Sequence, residues 1–255
     1  MRKKEPLVIY WAISALEDHG HRVLLANVSF NSVMRDIHRR RAKDPKKPPS
    51  HKFVQEGGYH LCTALHELVD NSFYLNAPFD IDITLNSMGQ ILPSERSDWF
   101  TERGQTIEGA WNVDFNYEIH LFSEEPVEVS VTPPYLHQSS VPAYGFASAA
   151  KWNISHWFRP VVILFQLWPG IHELHIKKDE PMIYLTFNTE RPVIFKQFRQ
   201  TSTVINISNA CLRHKFMFQF LPLRTMYSKF VRQGLREDLL KEIKNNLIGE
   251  TNVKN

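Results

Sequence analysis

Asp80 and Asp82 stand two positions apart in a stretch, 79–85 (FDIDITL), whose apolar and polar residues alternate strictly. In an extended strand side chains repeat with period two, so both carboxylates project from one face. Two carboxylates on one face are the minimum for acid–base work or for holding a divalent cation. Polar residues on a solvated sheet face give the same pattern. Arg159, in the run Trp157, Phe158, Arg159, Pro160, is a fitting counter-charge. A guanidinium beside aromatic rings at the edge of an apolar strand calls for a carboxylate, and the sequence reading pairs it with Asp80. Asp80, Asp82 and Arg159 therefore form a candidate constellation, either a structural ion pair or a site for a phosphate-bearing ligand.

Histidines are plentiful, twelve in all, but the spacing of His120, His137, His172 and His175 argues against metal chemistry. His172 and His175 lie three apart in IHELHI, and a strand sends them to opposite faces. Neither His120 nor His137 belongs to a pair with one intervening residue, so no metal site and no cofactor is expected. Cys62 and Cys211 lack metal-ligand spacing, and two cysteines in 255 residues make no disulfide scaffold. A reducing, cytoplasmic setting follows. The chain holds no G-x-G-x-x-G, G-x-x-x-x-G-K, C-x-x-C, H-E-x-x-H or G-x-S-x-G. With only 10 glycines, phosphate-cradling loops are scarce, and the balance leans away from an enzyme.

Aromatic residues on rigid loops form a second class of candidate. Tyr135 follows two prolines, Tyr144 sits in VPAYG, and Trp157 precedes Arg159. Such rings stack on bases, sugars or protein surfaces, and loops on β-scaffolds often carry recognition. The third candidate is a basic arm. Arg35, Arg39, Arg40, Arg41, Lys43, Lys46 and Lys47 stand against Asp36 and Asp44, a net +5 within a chain of net +3. This is one arm and not a whole basic face, so a solvated loop is the first reading and nucleic acid the second.

The elements that must position these residues are mainly strands. The segments 22–30, 79–85, 115–122, 127–132, 160–168, 172–177, 181–187 and 192–198 are rich in β-branched and aromatic residues or alternate with period two. Segments 115–122 and 127–132, separated by a short turn, read as an antiparallel hairpin, and 160–168 (PVVILFQLW) as a strand buried on both faces. Helices are expected near 31–42 and 61–73. A long amphipathic helix spans 222–249, where Leu223, Met226, Phe230, Leu235, Leu239 and Ile243 keep the three-and-four spacing. The resulting fold class is α+β, mainly β: an antiparallel β-sandwich or distorted barrel, jelly-roll or dUTPase-like, formed by residues 1–221 with peripheral helices. The C-terminal helix would pack on it or on a partner. The opening MRKKEPLVIYWAISALED imitates a signal peptide, but Glu5, Pro6, Tyr10 and Trp11 favour a first strand. The apolar runs fall far short of the ~20 residues that cross a bilayer, so no membrane partner is expected.

Several segments taken together carry a resemblance. Cys62 with Asn71, Ser72 and Phe73, then 77–80 (APFD), 131–135 (VTPPY), 157–160 (WFRP) and 176–181 (IKKDEP), resemble a family of uncharacterised proteins of tailed bacteriophages. These occur chiefly in large contractile-tailed marine phages, with bacterial relatives, and the likeness spans roughly residues 8–200. It implies host cytoplasm or a virion as the setting, and it brings no catalytic residue or cofactor. The turn and strand at 177–183 are also similar to those late in dUTPase and dCTP deaminase barrels, without the catalytic signatures of those enzymes. The leading functional expectation is a non-catalytic phage-type β-rich binding or assembly protein whose partner is another protein or a second copy. Behind it stand a nucleotide-processing enzyme using Asp80, Asp82 and Arg159, and a nucleic-acid-associated protein using residues 35–47.

Overall fold

The computed structural model describes residues 5–13, 29–36, 63–217 and 220–250, and the side chains of all of these except Tyr117, His214, Lys215, Phe216, Gly249 and Glu250. The fold is mainly β, with curled sheets that form a half-barrel and several helices around it.

Fourteen strands are described: β1 (Leu7–Ile13), β2 (Asn31–Ser32), β3 (Ser72–Asn76), β4 (Ile81–Thr84), β5 (Phe100–Ile107), β6 (Ala110–Phe122), β7 (Glu128–Thr132), β8 (Gly145–Ala147), β9 (Ala150–Asn153), β10 (Pro160–Leu167), β11 (Glu173–Ile176), β12 (Pro181–Phe187), β13 (Val193–Phe198) and β14 (Leu247–Glu250). The helices are α1 (Thr63–Val69), α2 (Val141–Tyr144), α3 (Ser202–Met217), α4 (Leu223–Arg232) and α5 (Leu235–Asn245). One sheet runs β14-β13-β1-β6-β10-β8, with β5 also paired to β6. A second runs β2-β3-β12-β7-β9, and β11 and β4 form a separate antiparallel pair. Among the described residues every pairing is antiparallel except β1 with β13.

Alternation explains the one-sided strands. Ile81, Ile83 and Leu85 are buried while Asp82 and Thr84 face solvent, as 79–85 reads in sequence. Phe115, Ile119 and Leu121 of β6 and Val129 and Val131 of β7 bury into the same core. There Phe30 stacks on Phe195 at 4.0 Å between ring centres, with Phe73 and Phe187 edge-on. Each such ring contributes roughly 2–3 kcal/mol through removal from water. β1 sits between β13 and β6, so the apolar N-terminal run is a central strand.

Several expectations are corrected or narrowed. β6 and β7 are not a hairpin: β7 pairs with β12 and β9, and the chain crosses between sheets at residues 123–126. Alternation fixes which face is buried but not which strand lies alongside. The strand buried on both faces is β12. In β10, Val162 is exposed and Leu164 and Gln166 are half-buried. The helix expected near 31–42 is described only at its start: after the two-residue strand β2, residues 33–36 are helical, with Ser32 Oγ accepting the Arg35 N–H at 3.3 Å as a cap, and the rest of that range lies outside the described residues. Within 61–73 the described helix is only the short α1, which ends before Asn71, whose φ of 52° is incompatible with continuing it. Of the expected strand at 22–30, only Ser29 and Phe30 are among the described residues.

The long C-terminal helix is also two helices. Gly234, at φ 71°, breaks it between α4 and α5, and the chain then returns as β14 against β13. Met226, Phe230, Leu239 and Ile243 lie in the same buried core as the sheets. The helix α3 has no counterpart in the sequence reading, because its apolar and polar residues give only a faint stripe. It packs Val204, Ile207 and Cys211 inward.

Candidate functional site

The connection from β9 to β10 is built around Asn153. Its Oδ1 accepts from the Ser155 backbone N–H at 2.9 Å and from the Ser155 hydroxyl at 2.7 Å, and it lies 3.0 Å from His156 Nδ1. This closes a tight loop that buries Ser155 and leaves the His156 ring half-buried. β9 is the edge strand of its sheet, and the Asn153 N–H is capped by the Tyr227 hydroxyl of α4 at 2.9 Å. Having accepted that bond, the phenol keeps its own O–H as a donor. Burial pushes the Tyr227 pKa above its usual value, so the proton stays in place at neutral pH.

Between this loop and α4 lies an open cleft of about 460 Å³. Asn153 and His156 form one wall, and Arg224, Tyr227, Ser228, Val231 and Arg232 form the other. On a helix of 3.6 residues per turn, positions 224, 228 and 232 follow one side, so both arginines reach the same cleft. Among the described residues neither Arg224 nor Arg232 makes an ion pair, and no carboxylate lines the cleft. Burial, with Arg236 nearby, holds His156 below its usual pKa and therefore neutral.

Arg159 stands beside this region. Its guanidinium lies 4.9 Å from the centre of the Trp152 ring, and its Nε is buried without a hydrogen-bond partner among the described residues. Burial lowers its pKa, and Tyr227 and Asp114 are its electrostatic neighbours. The expected pair with Asp80 is not formed. Asp80 is exposed and accepts the Lys178 N–H at 2.7 Å, with Lys177 at 3.8 Å, and these contacts hold its carboxyl below the usual range. Asp82 pairs with His175 at 2.8 Å, and Glu173 approaches the other ring nitrogen at 3.3 Å. Residue type alone would join Asp80 to Arg159, while the fold sends them to different partners.

The aromatic candidates also separate. Tyr144 packs edge-on to His175, Trp157 is buried in the core with no face for a ligand, and Tyr135 is exposed against Tyr184. Of the basic arm, Arg35 lies in the helical turn at 33–36. Arg39, Arg40, Arg41, Lys43, Lys46 and Lys47 lie outside the described residues.

A second polar cluster has no forerunner in the sequence reading. His137 contacts Asp36 through Nε2 at 2.9 Å and the Tyr184 hydroxyl through Nδ1. Tyr184 is fully buried and also accepts the Leu136 N–H at 3.1 Å. A neutral imidazole protonated on Nε2 satisfies this chain: Tyr184 donates to His137, and His137 donates to Asp36. The arrangement fastens the loop after β7 and the turn at 33–36 to β12.

The cleft does leave a signal in sequence. Residues 199–236 hold seven Lys and Arg and not one Asp or Glu. Net charge hides this, because acidic residues elsewhere offset it. Among the described residues no group of His, Cys, Asp and Glu is placed to hold a metal ion, and no helix is long and apolar enough to cross a membrane. Comparison with protein-family models, with curated proteins and with solved structures finds no match to the chain.

Proposed function

We propose that this protein is a non-catalytic binding module that engages an anionic group in the cleft between the β9–β10 connection and α4. The observation that carries this reading is the charge of the cleft: its ionised side chains are Arg224 and Arg232, unpaired among the described residues, inside a 38-residue stretch without a single acid. Charge-assisted bonds from guanidinium to carboxylate or phosphate are about twice as strong as neutral ones. The Tyr227 hydroxyl supplies a further donor. The state of two nucleophile types supports binding over chemistry. Ser155 donates its hydroxyl to Asn153 and lies 2.9 Å from His156 Nδ1, but it is fully buried and no ligand reaches it, and burial pushes the Cys211 thiol up to about 12. The nucleotide-processing alternative draws no support from Asp80, Asp82 and Arg159, which have separate partners. A role in assembly among phage-type proteins belongs to the same proposal and rests on the resemblance alone.

Thermal unfolding with inorganic phosphate, pyrophosphate and citrate tests the reading. Ligand at 100 times its Kd stabilises the folded state by about 2.7 kcal/mol. The stabilisation is expected to vanish in Arg224→Glu with Arg232→Glu, both on exposed positions that spare the core. No stabilisation of the wild type by any of the three, or equal stabilisation of the double variant, overturns it.

A further inference from the structure

We infer that the occupant of the α4 cleft is an acidic, partly apolar segment of a partner protein, bound extended with two carboxylates four residues apart. The inference rests on the anion-binding reading above and names the partner class. Arg224 and Arg232 are eight residues apart on α4, so they sit about 12 Å apart along the helix axis at a rise of ~1.5 Å per residue. An extended peptide advances roughly 3.3 Å per residue, and four residues span about 13 Å. An even spacing also puts both side chains on one face, whereas a spacing of three sends them to opposite faces.

Apolar surface decides the class of partner. Val231 of the cleft wall is 37% exposed; outside the lining, Leu223, next to Arg224 at the start of α4, is 49% exposed and Phe220, four residues before Arg224, is 98% exposed. A nucleic-acid backbone offers phosphate but little that would cover leucine and valine. A peptide carrying both acidic and apolar side chains covers both kinds of surface.

Fluorescence anisotropy with labelled eight-residue, Thr- and Val-rich peptides provides the test. One peptide carries Glu at positions i and i+4, a second at i and i+3, and both end in Leu. A T-rich single-stranded oligonucleotide and vesicles containing anionic phospholipid are the competitors. The i,i+4 peptide is expected to bind at least tenfold more tightly than the i,i+3 peptide. Its affinity falls tenfold or more in Arg224→Glu with Arg232→Glu, and severalfold in Phe220→Ser with Leu223→Ser. Circular dichroism of each variant reports that the fold is retained. Equal affinity for the two spacings, or displacement of the peptide by the oligonucleotide or the vesicles at lower concentration, overturns the inference. Either outcome leaves the anion-binding cleft standing as long as inorganic phosphate or citrate still stabilises the protein. Failure of every anion brings down both.

Discussion

His120 makes the fold acid-sensitive by a calculable amount. The ring is buried between β6 and α3, with Ser208 Oγ 2.8 Å from Nε2, Gln200 Nε2 2.8 Å from Nδ1, and Phe158 packed against it. The Gln200 amide donates, so Nδ1 accepts and the single imidazole proton lies on Nε2, facing Ser208. A second proton would have to enter at Nδ1, against that amide and without solvent. Burial accordingly lowers the pKa from 6.5 to about 3. The folded state refuses the proton, whereas the unfolded chain takes it below pH 6.5. The stabilisation is therefore complete above that pH and is lost as pH falls toward 3, at about 1.4 kcal/mol per pH unit. By pH 4.5 the loss amounts to roughly 3 kcal/mol. His120→Gln keeps one acceptor and one donor but cannot titrate. Urea unfolding of both proteins at pH 7.5 and pH 4.5 is the assay. Wild type is expected to lose about 3 kcal/mol more than the variant across that interval, since carboxylates and other histidines contribute equally to both. Parallel pH dependences would refute the argument that His120 is buried and neutral.

Tyr184→Phe removes the hydroxyl that satisfies the Leu136 N–H and meets His137, and is expected to cost about 2–3 kcal/mol. Calorimetry would show this as a fall in Tm of roughly 5–10 °C for a chain this long, and a loss below about half a kcal/mol would contradict the buried chain. A Cβ on Gly145 would overlap the Gln166 backbone oxygen, so Gly145→Ala forces β8 away from β10. Faster amide exchange in β8 and the facing part of β10 is the expected readout, and unchanged protection would show that the two strands are not so close. Gly234→Ala tests the break between α4 and α5. At φ 71° alanine is strained, and a destabilisation of about 1 kcal/mol is expected, whereas one continuous helix would be stabilised by the same change.

Much of the scaffold was legible because burial on one face of a strand writes itself as alternation. Residues 79–85, 181–187 and 192–198 all become strands near their expected positions. Partners were not legible. The period of two shows which side chains of β7 turn inward, yet gives no information on whether β6 or β12 lies beside it. The C-terminal apolar stripe reads as one helix because its spacing continues across Gly234, and only the backbone angle there reveals the turn.

The candidate site divides in the same way. The basic, acid-free stretch 199–236 is a fact of composition, and Arg224, Ser228 and Arg232 share a helix side by local geometry alone. What makes a cleft of them is the arrival of Asn153 and His156 from an edge strand 74 residues before Tyr227, whose hydroxyl fixes it there. Asp36, His137 and Tyr184 similarly meet across 101 and 47 residues. Local order and charge follow from side-chain type and spacing, because they depend on neighbours along the chain. Which distant groups meet depends on the packing of whole sheets, and that selected Arg159 for Trp152 and Asp80 for the Lys178 amide instead of joining the two to each other.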